Sequence, residues 1–166
     1  SLALDPIGDG LVVWTETVYP KSTLRIASFN ASTETFSEVA MSSDGGDNLV
    51  FGTSVALSKK MSGLIAWTSV PVSTNADGGV QVEILGANAM GLRLTADPLR
   101  SGAAVLGRDD FASANPDVVM GADGRGVGVW LQATSSAASQ LSVLSKVYVP
   151  NTGWTAPHTL SEHGGM

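Results

Sequence analysis

Three stretches of this chain share one rhythm of apolar and small residues, and each ends in tryptophan. They are Leu2–Trp14 (LALDPIGDGLVVW), Val55–Trp67 (VALSKKMSGLIAW) and Val118–Trp130 (VVMGADGRGVGVW). Large apolar residues stand twelve and ten positions before the tryptophan: Leu2 and Leu4, Val55 and Leu57, Val118 and Met120. Glycine stands four before it each time, at Gly10, Gly63 and Gly126. Recurrence at fixed offsets marks a structural repeat. Each unit reads as a hairpin, in which an apolar strand enters a polar, glycine-containing turn and a second strand ends in Trp. Asp123-Gly124 is a strong turn signal, and Gly126 is expected to supply the backbone freedom at the turn exit. A third strand is predicted over Leu24–Phe29, Val80–Leu85 and Leu141–Tyr148. A weaker fourth is predicted over Phe36–Met41, Gly91–Ala96 and Trp154–Leu160. No stretch sustains helical periodicity.

Parity along the second strand then fixes the layering. Val12 and Trp14 share one face, and Leu11 and Val13 the other. Ile65 with Trp67 opposes Leu64 with Ala66; Gly128 with Trp130 opposes Val127 with Val129. A sheet with one wet face would alternate apolar and polar residues here. Two faces without polar side chains predict sheets covered on both sides. The expected fold is therefore all-β: three four-stranded antiparallel blades of a β-propeller, over residues 1–48, 49–108 and 109–166. A two-sheet β-sandwich is the alternative; it accounts for the apolar content but not for the threefold hairpin.

Asn115–Trp130 and Gly153-Trp154-Thr155-Ala156-Pro157 resemble the degenerate propeller repeats of large exported bacterial proteins, of the sialidase-like superfamily in the broad sense. The first unit matches that pattern less well, and the second lacks its Asp-Gly turn. No Trp-Asp dipeptide occurs, and the sialidase order of Asp and Gly before Thr-Trp is missing. The resemblance implies a fold and an extracellular, periplasmic or cell-surface setting, not a reaction. Further blades of the same polypeptide, or a second copy of the chain, are the expected partners, because three blades do not close a ring.

Composition narrows the partners. Nine basic residues against fifteen acidic ones give a net charge of −6, a poor match for phosphate. Nucleic acid and anionic membranes are therefore not expected as partners. Charged residues make up only 14 % and hydrophobic ones 43 %, which argues for a packed core over disorder. No apolar run is long enough for a membrane helix. Cysteine is absent, which removes disulfides, thiolate zinc sites and cysteine nucleophiles together and suits an exported chain. The start at Ser1 leads us to expect a processed or excised piece of a longer polypeptide.

Candidate chemistry is sparse. His158 and His163 with Glu162 lack zincin spacing, and no metal site is expected there. Asp44, Asp47 and Asn48 on a Gly-flexed loop are a weak calcium candidate without EF-hand order or a closing Glu; Asp109-Asp110 is weaker still. Arg25, Arg93, Arg100, Arg108 and Arg125 share no repeat offset, and Tyr19 and Tyr148 have no evident Glu partner, as a sialidase-type site would need. No Gly-x-Ser-x-Gly elbow or Gly-x-Gly-x-x-Gly phosphate loop occurs. Asn30-Ala31-Ser32 is a glycosylation sequon in a turn. Trp14, Trp67 and Trp130, with Gly10, Gly63 and Gly126, are expected to be structural core. Trp154 is the one tryptophan read as a possible ligand platform for a sugar ring or a protein. The expected role is a non-catalytic scaffold or protein/glycan interaction module, with no cofactor. The alternative is part of a sugar-active propeller whose site is shared with absent blades.

Overall fold

The structure is a computed structural model, and it describes residues 1–18, 21–42, 48–58, 62–74, 80–82, 88–94, 104–107, 112–135 and 140–161. Every regular element described is a strand. β1 (Leu2–Leu4), β2 (Gly10–Val18), β3 (Lys21–Asn30) and β4 (Thr35–Ser42) form sheet A in that order. Sheet B holds β5 (Asn48–Leu57), β6 (Gly63–Thr74), β8 (Asn88–Leu94) and β9 (Ala104–Val105), with β7 (Val80–Val82) paired to the end of β6. Sheet C holds β10 (Ser113–Met120), β11 (Gly126–Ala133), β12 (Leu141–Val149) and β13 (Gly153–Trp154), with β14 (His158–Ser161) also paired to β12. All pairings are antiparallel.

The three predicted hairpins form in matching register, with Leu4 opposite Gly10, Leu57 opposite Gly63 and Met120 opposite Gly126. Each turn closes on the same backbone bond. Asp5 N donates to Asp9 O at 2.8 Å, Ser58 N to Ser62 O at 2.8 Å, and Gly121 N to Arg125 O at 2.7 Å. Gly8 (φ 93°) and Gly124 (φ 82°) both stand six before the tryptophan, in the left-handed region that the turn demands. This corrects the expected role of Gly126. It opens β11 without a positive φ, so the turn draws its freedom from Gly124 instead.

The units are less regular outside the hairpins. Among the described residues sheets B and C each hold five strands, not four. Val80–Val82 is a strand, but it lies against Val72–Thr74, the far end of a twelve-residue β6. The strand opposite Trp67 is instead Asn88–Leu94, so the third-strand assignment to Val80–Leu85 is corrected. β7 and β8 pair with successive lengths of one long strand. In unit C the fourth-strand region is split into β13 and β14.

Two hydrophobic clusters tie the sheets together. Leu11, Val13, Leu24 and Ile26 of sheet A pack on Val50, Ile65, Trp67 and Met90 of sheet B. On the opposite face of sheet B, Leu64, Ala66 and Leu106 pack with Val118, Trp130, Leu144 and Tyr148 of sheet C. Sheet B is thus covered on both sides, which is why neither face of its β6 segment Leu64–Trp67 carries a polar residue.

Candidate functional site

The packing between the sheets has a direction. Trp67 is 2 % exposed and faces the Leu11/Val13 side of sheet A; Trp130 is 1 % exposed and faces the Leu64/Ala66 side of sheet B. The tryptophan faces of sheets B and C therefore each rest on the other face of the sheet before. The contact has a repeated detail at the glycine four before each tryptophan. A Cβ at Gly63 would stand 3.3 Å from Leu11 Cδ1, and a Cβ at Gly126 would collide with Leu64 Cδ1. Leu11 and Leu64 hold the same repeat position. The glycines therefore leave room for a leucine of the preceding sheet. First strands take part throughout. β5 contacts β1, β2 and β3, while β10 contacts β5, β6 and β8.

Polar contacts fix the same junctions. Ser1 Oγ donates to Thr53 O. Ser54 Oγ donates to Asp117 Oδ1 and accepts from Val118 N at 3.2 Å. Asn115 N donates to Thr68 Oγ1 at 2.9 Å. Asn115 (φ 51°) and Gly52 (φ 61°) both lie where β10 and β5 bulge, fifteen residues before their tryptophans. This repeated bulge escaped the sequence reading, although a residue type that tolerates left-handed geometry at a shared offset was its signal.

Among the described residues two faces are left uncovered. On sheet A the tryptophan face presents Leu2, Leu4 and Phe36, which are exposed, with Val12 and Trp14 half-buried. Trp14 thus differs from its counterparts Trp67 and Trp130. Phe29 and Phe36 pair on this face with ring centroids 4.9 Å apart. Beside Trp14, Arg25 donates from Nε and Nη2 to Glu16 Oε2 at 2.8 and 2.6 Å. Arg25 occupies the cross-strand position that Met90 and Leu144 fill opposite Trp67 and Trp130. On sheet C the outer face presents Val119, Val127 and Val147, all exposed, around a groove of about 280 Å³.

The hairpin ends of all three sheets line one cavity of about 320 Å³, formed by Leu4, Asp5 and Pro6, by Leu57 and Ser58, and by Met120 and Ala122. Asp5 is buried there. Its Oδ1 accepts from Ile7 N at 2.9 Å and Asp9 N at 3.1 Å, while Oδ2 is buried without a hydrogen-bond partner. Among the described residues this cavity offers one carboxylate, with one hydroxyl at Ser58 and otherwise apolar side chains.

The remaining candidates are scattered. Trp154 is half-buried and packs edge-on against Tyr148 (centroids 5.4 Å apart, planes at 76°), over Gly128. Arg125 lies at the hairpin turn of sheet C, 3.9 Å from Asp123, and Tyr148 is buried in the second cluster. His158 is exposed on β14. Asn30 Oδ1 accepts from Ser32 N, Ser32 Oγ and Thr33 N, shaping the turn between β3 and β4. Among the described residues no group of His, Asp and Glu is placed to hold a metal. Asn48 opens β5, whereas Asp44, Asp47, Asp109, Asp110, Glu162, His163, Tyr19, Arg100 and Arg108 lie outside the described residues. No family model and no curated protein sequence matches this chain.

Proposed function

We propose that this chain is a non-catalytic β-propeller segment of an exported or surface protein, serving as a scaffold and interaction module. The observation that carries the proposal is the one-directional packing. Trp67 and Trp130 each seat on the preceding sheet, with Leu11 and Leu64 over the glycines of the next. One junction used twice is what an array of repeated units requires. The involvement of first strands, and the meeting of three hairpin ends at one cavity, support sheets set around a common axis. The module's interaction surfaces are then its two open faces, both apolar.

A crystal structure of the isolated chain tests the geometry. Sheets A, B and C should be related by similar rotations about one axis, with β1, β5 and β10 nearest to it. Sheets stacked without a shared axis would favour the sandwich and overturn the proposal. The lack of catalysis is checked with a panel of fluorogenic glycosides. Turnover that Arg25→Ala or Arg125→Ala abolishes would point to an enzyme instead.

A further inference from the structure

Resting on the reading of the open faces as interaction surfaces, we infer that their occupant is a second copy of this chain, bound head to tail: the outer face of sheet C receives the tryptophan face of sheet A. The internal junctions specify this contact position by position. Leu11 and Leu64, on the non-tryptophan faces of sheets A and B, are buried over Gly63 and Gly126. The same repeat position in sheet C is Val127, which is 37 % exposed. The glycine that would receive it is Gly10. The three atoms nearest to a Cβ there, out to 3.6 Å, belong to Leu4, Phe29 and Ala3 of its own sheet, whereas Leu11 of the preceding sheet stands 3.3 Å from a Cβ at Gly63.

The surrounding positions agree. Leu57 and Met120 pack against the first and second clusters, whereas their counterpart Leu4 is 61 % exposed. Val13 and Ala66 are fully buried, whereas their counterpart Val129 is only half-buried. Both ends thus show the residues of the internal junctions without the partner. The faces depart from the internal junctions at Ser145, which stands opposite Val129 as Ile26 stands opposite Val13, and at Arg25, whose charge already meets Glu16, so covering this face would bury a pair rather than a lone ion. A like-with-like twofold pairing would match tryptophan face to tryptophan face, a contact that neither internal junction makes.

Sedimentation velocity of the wild-type chain over a wide concentration range, beside Leu4→Lys and Val127→Lys, tests this. The wild type should associate. Each variant alone should stay monomeric where the wild type is assembled, with association weakened at least tenfold. An equimolar mixture of the two should recover pairing and stop at two chains, because one intact junction remains. A wild type that is monomeric throughout overturns the inference while leaving the sheet geometry of the module intact. So does assembly blocked by only one substitution, which would mean that like faces pair. Circular dichroism checks the folding of each variant. Phe36→Lys and Val119→Lys, at 67 % and 62 % exposed positions on the same two faces, replace any variant that fails to fold.

Discussion

Leu64 and Gly126 show how one missing methyl group sets the distance between two sheets. A Cβ at position 126 would run into Leu64 Cδ1 and stand 2.9 Å from the Val119 carbonyl oxygen. Gly126→Ala should therefore destabilise the fold by about 1–3 kcal/mol, the usual cost of overpacking. Combining it with Leu64→Ala should return part of that loss, a coupling of at least about 0.5 kcal/mol in denaturant melts. Strict additivity would mean that the clash is with backbone alone. A second residue-scale test concerns the indole nitrogens. Trp130 Nε1 donates to Gln132 Oε1 at 3.2 Å, and Gln132 Nε2 donates to Ala112 O at 3.2 Å. Gln132→Leu keeps an apolar volume there but strands the buried N–H, which costs about 1–3 kcal/mol. Trp67 Nε1 already lacks a partner, because Ser69 at the matching position is too short to play the part of Gln132. Gln132→Leu should thus leave Trp130 in the state that Trp67 natively has, and a neutral melt would show that this N–H finds water.

At the scale of strands, the hairpins were legible in the sequence because three constraints coincide in them. Two of the turns take a left-handed glycine, Gly8 and Gly124, and all three units have a glycine notch in the strand and an apolar stripe on the second face. Each leaves a residue at a fixed offset. The third strand of unit B was not legible. Val80–Val82 alternates as well as any strand, and alternation cannot tell which length of β6 it joins. The length of β6 decides that, and it continues through Pro71 where a turn could equally have begun. The candidate site was legible only in part. Three blades that do not close a ring predict open end faces, with Val12 and Trp14 on one and Val127 and Val129 on the other, but not the degree: Trp14 stays half-buried while Trp67 and Trp130 are covered. Burial depends on what lies opposite, and that information belongs to the neighbouring sheet. The consequence is measurable. Trp130→Ala should cost roughly 3–5 kcal/mol, the cost of truncating a buried aromatic. Trp14→Ala, measured at low protein concentration, should cost about half of that or less, since the cost scales with the area removed from water. Equal losses would mean that the Trp14 face is covered even in the single chain.

Across the whole molecule, stability should grade from the middle outward. In a linear array each unit is held by its nearest neighbours. Sheet B has two of them, sheets A and C one each. The residues that close both junctions lie on β6, where Leu64, Ile65 and Ala66 are fully buried and Trp67 nearly so. Opening sheet A breaks the first junction only, and opening sheet C the second only. Opening sheet B breaks both, so its exchange-competent states should approach the globally unfolded chain. Native-state hydrogen exchange at low concentration should therefore rank β6 as the slowest strand, with β2 and β11 exchanging through partial openings of lower free energy. The difference between β6 and the outer pair should be at least about 1 kcal/mol, the scale at which sub-global units separate from the global transition. Raising the protein concentration should slow β2 and β11 toward β6 as the end faces are covered, because partner binding stabilises only the closed form. Uniform protection of all three strands in dilute solution would mean that the chain unfolds as one cooperative body, in which the end faces contribute as much as the internal junctions.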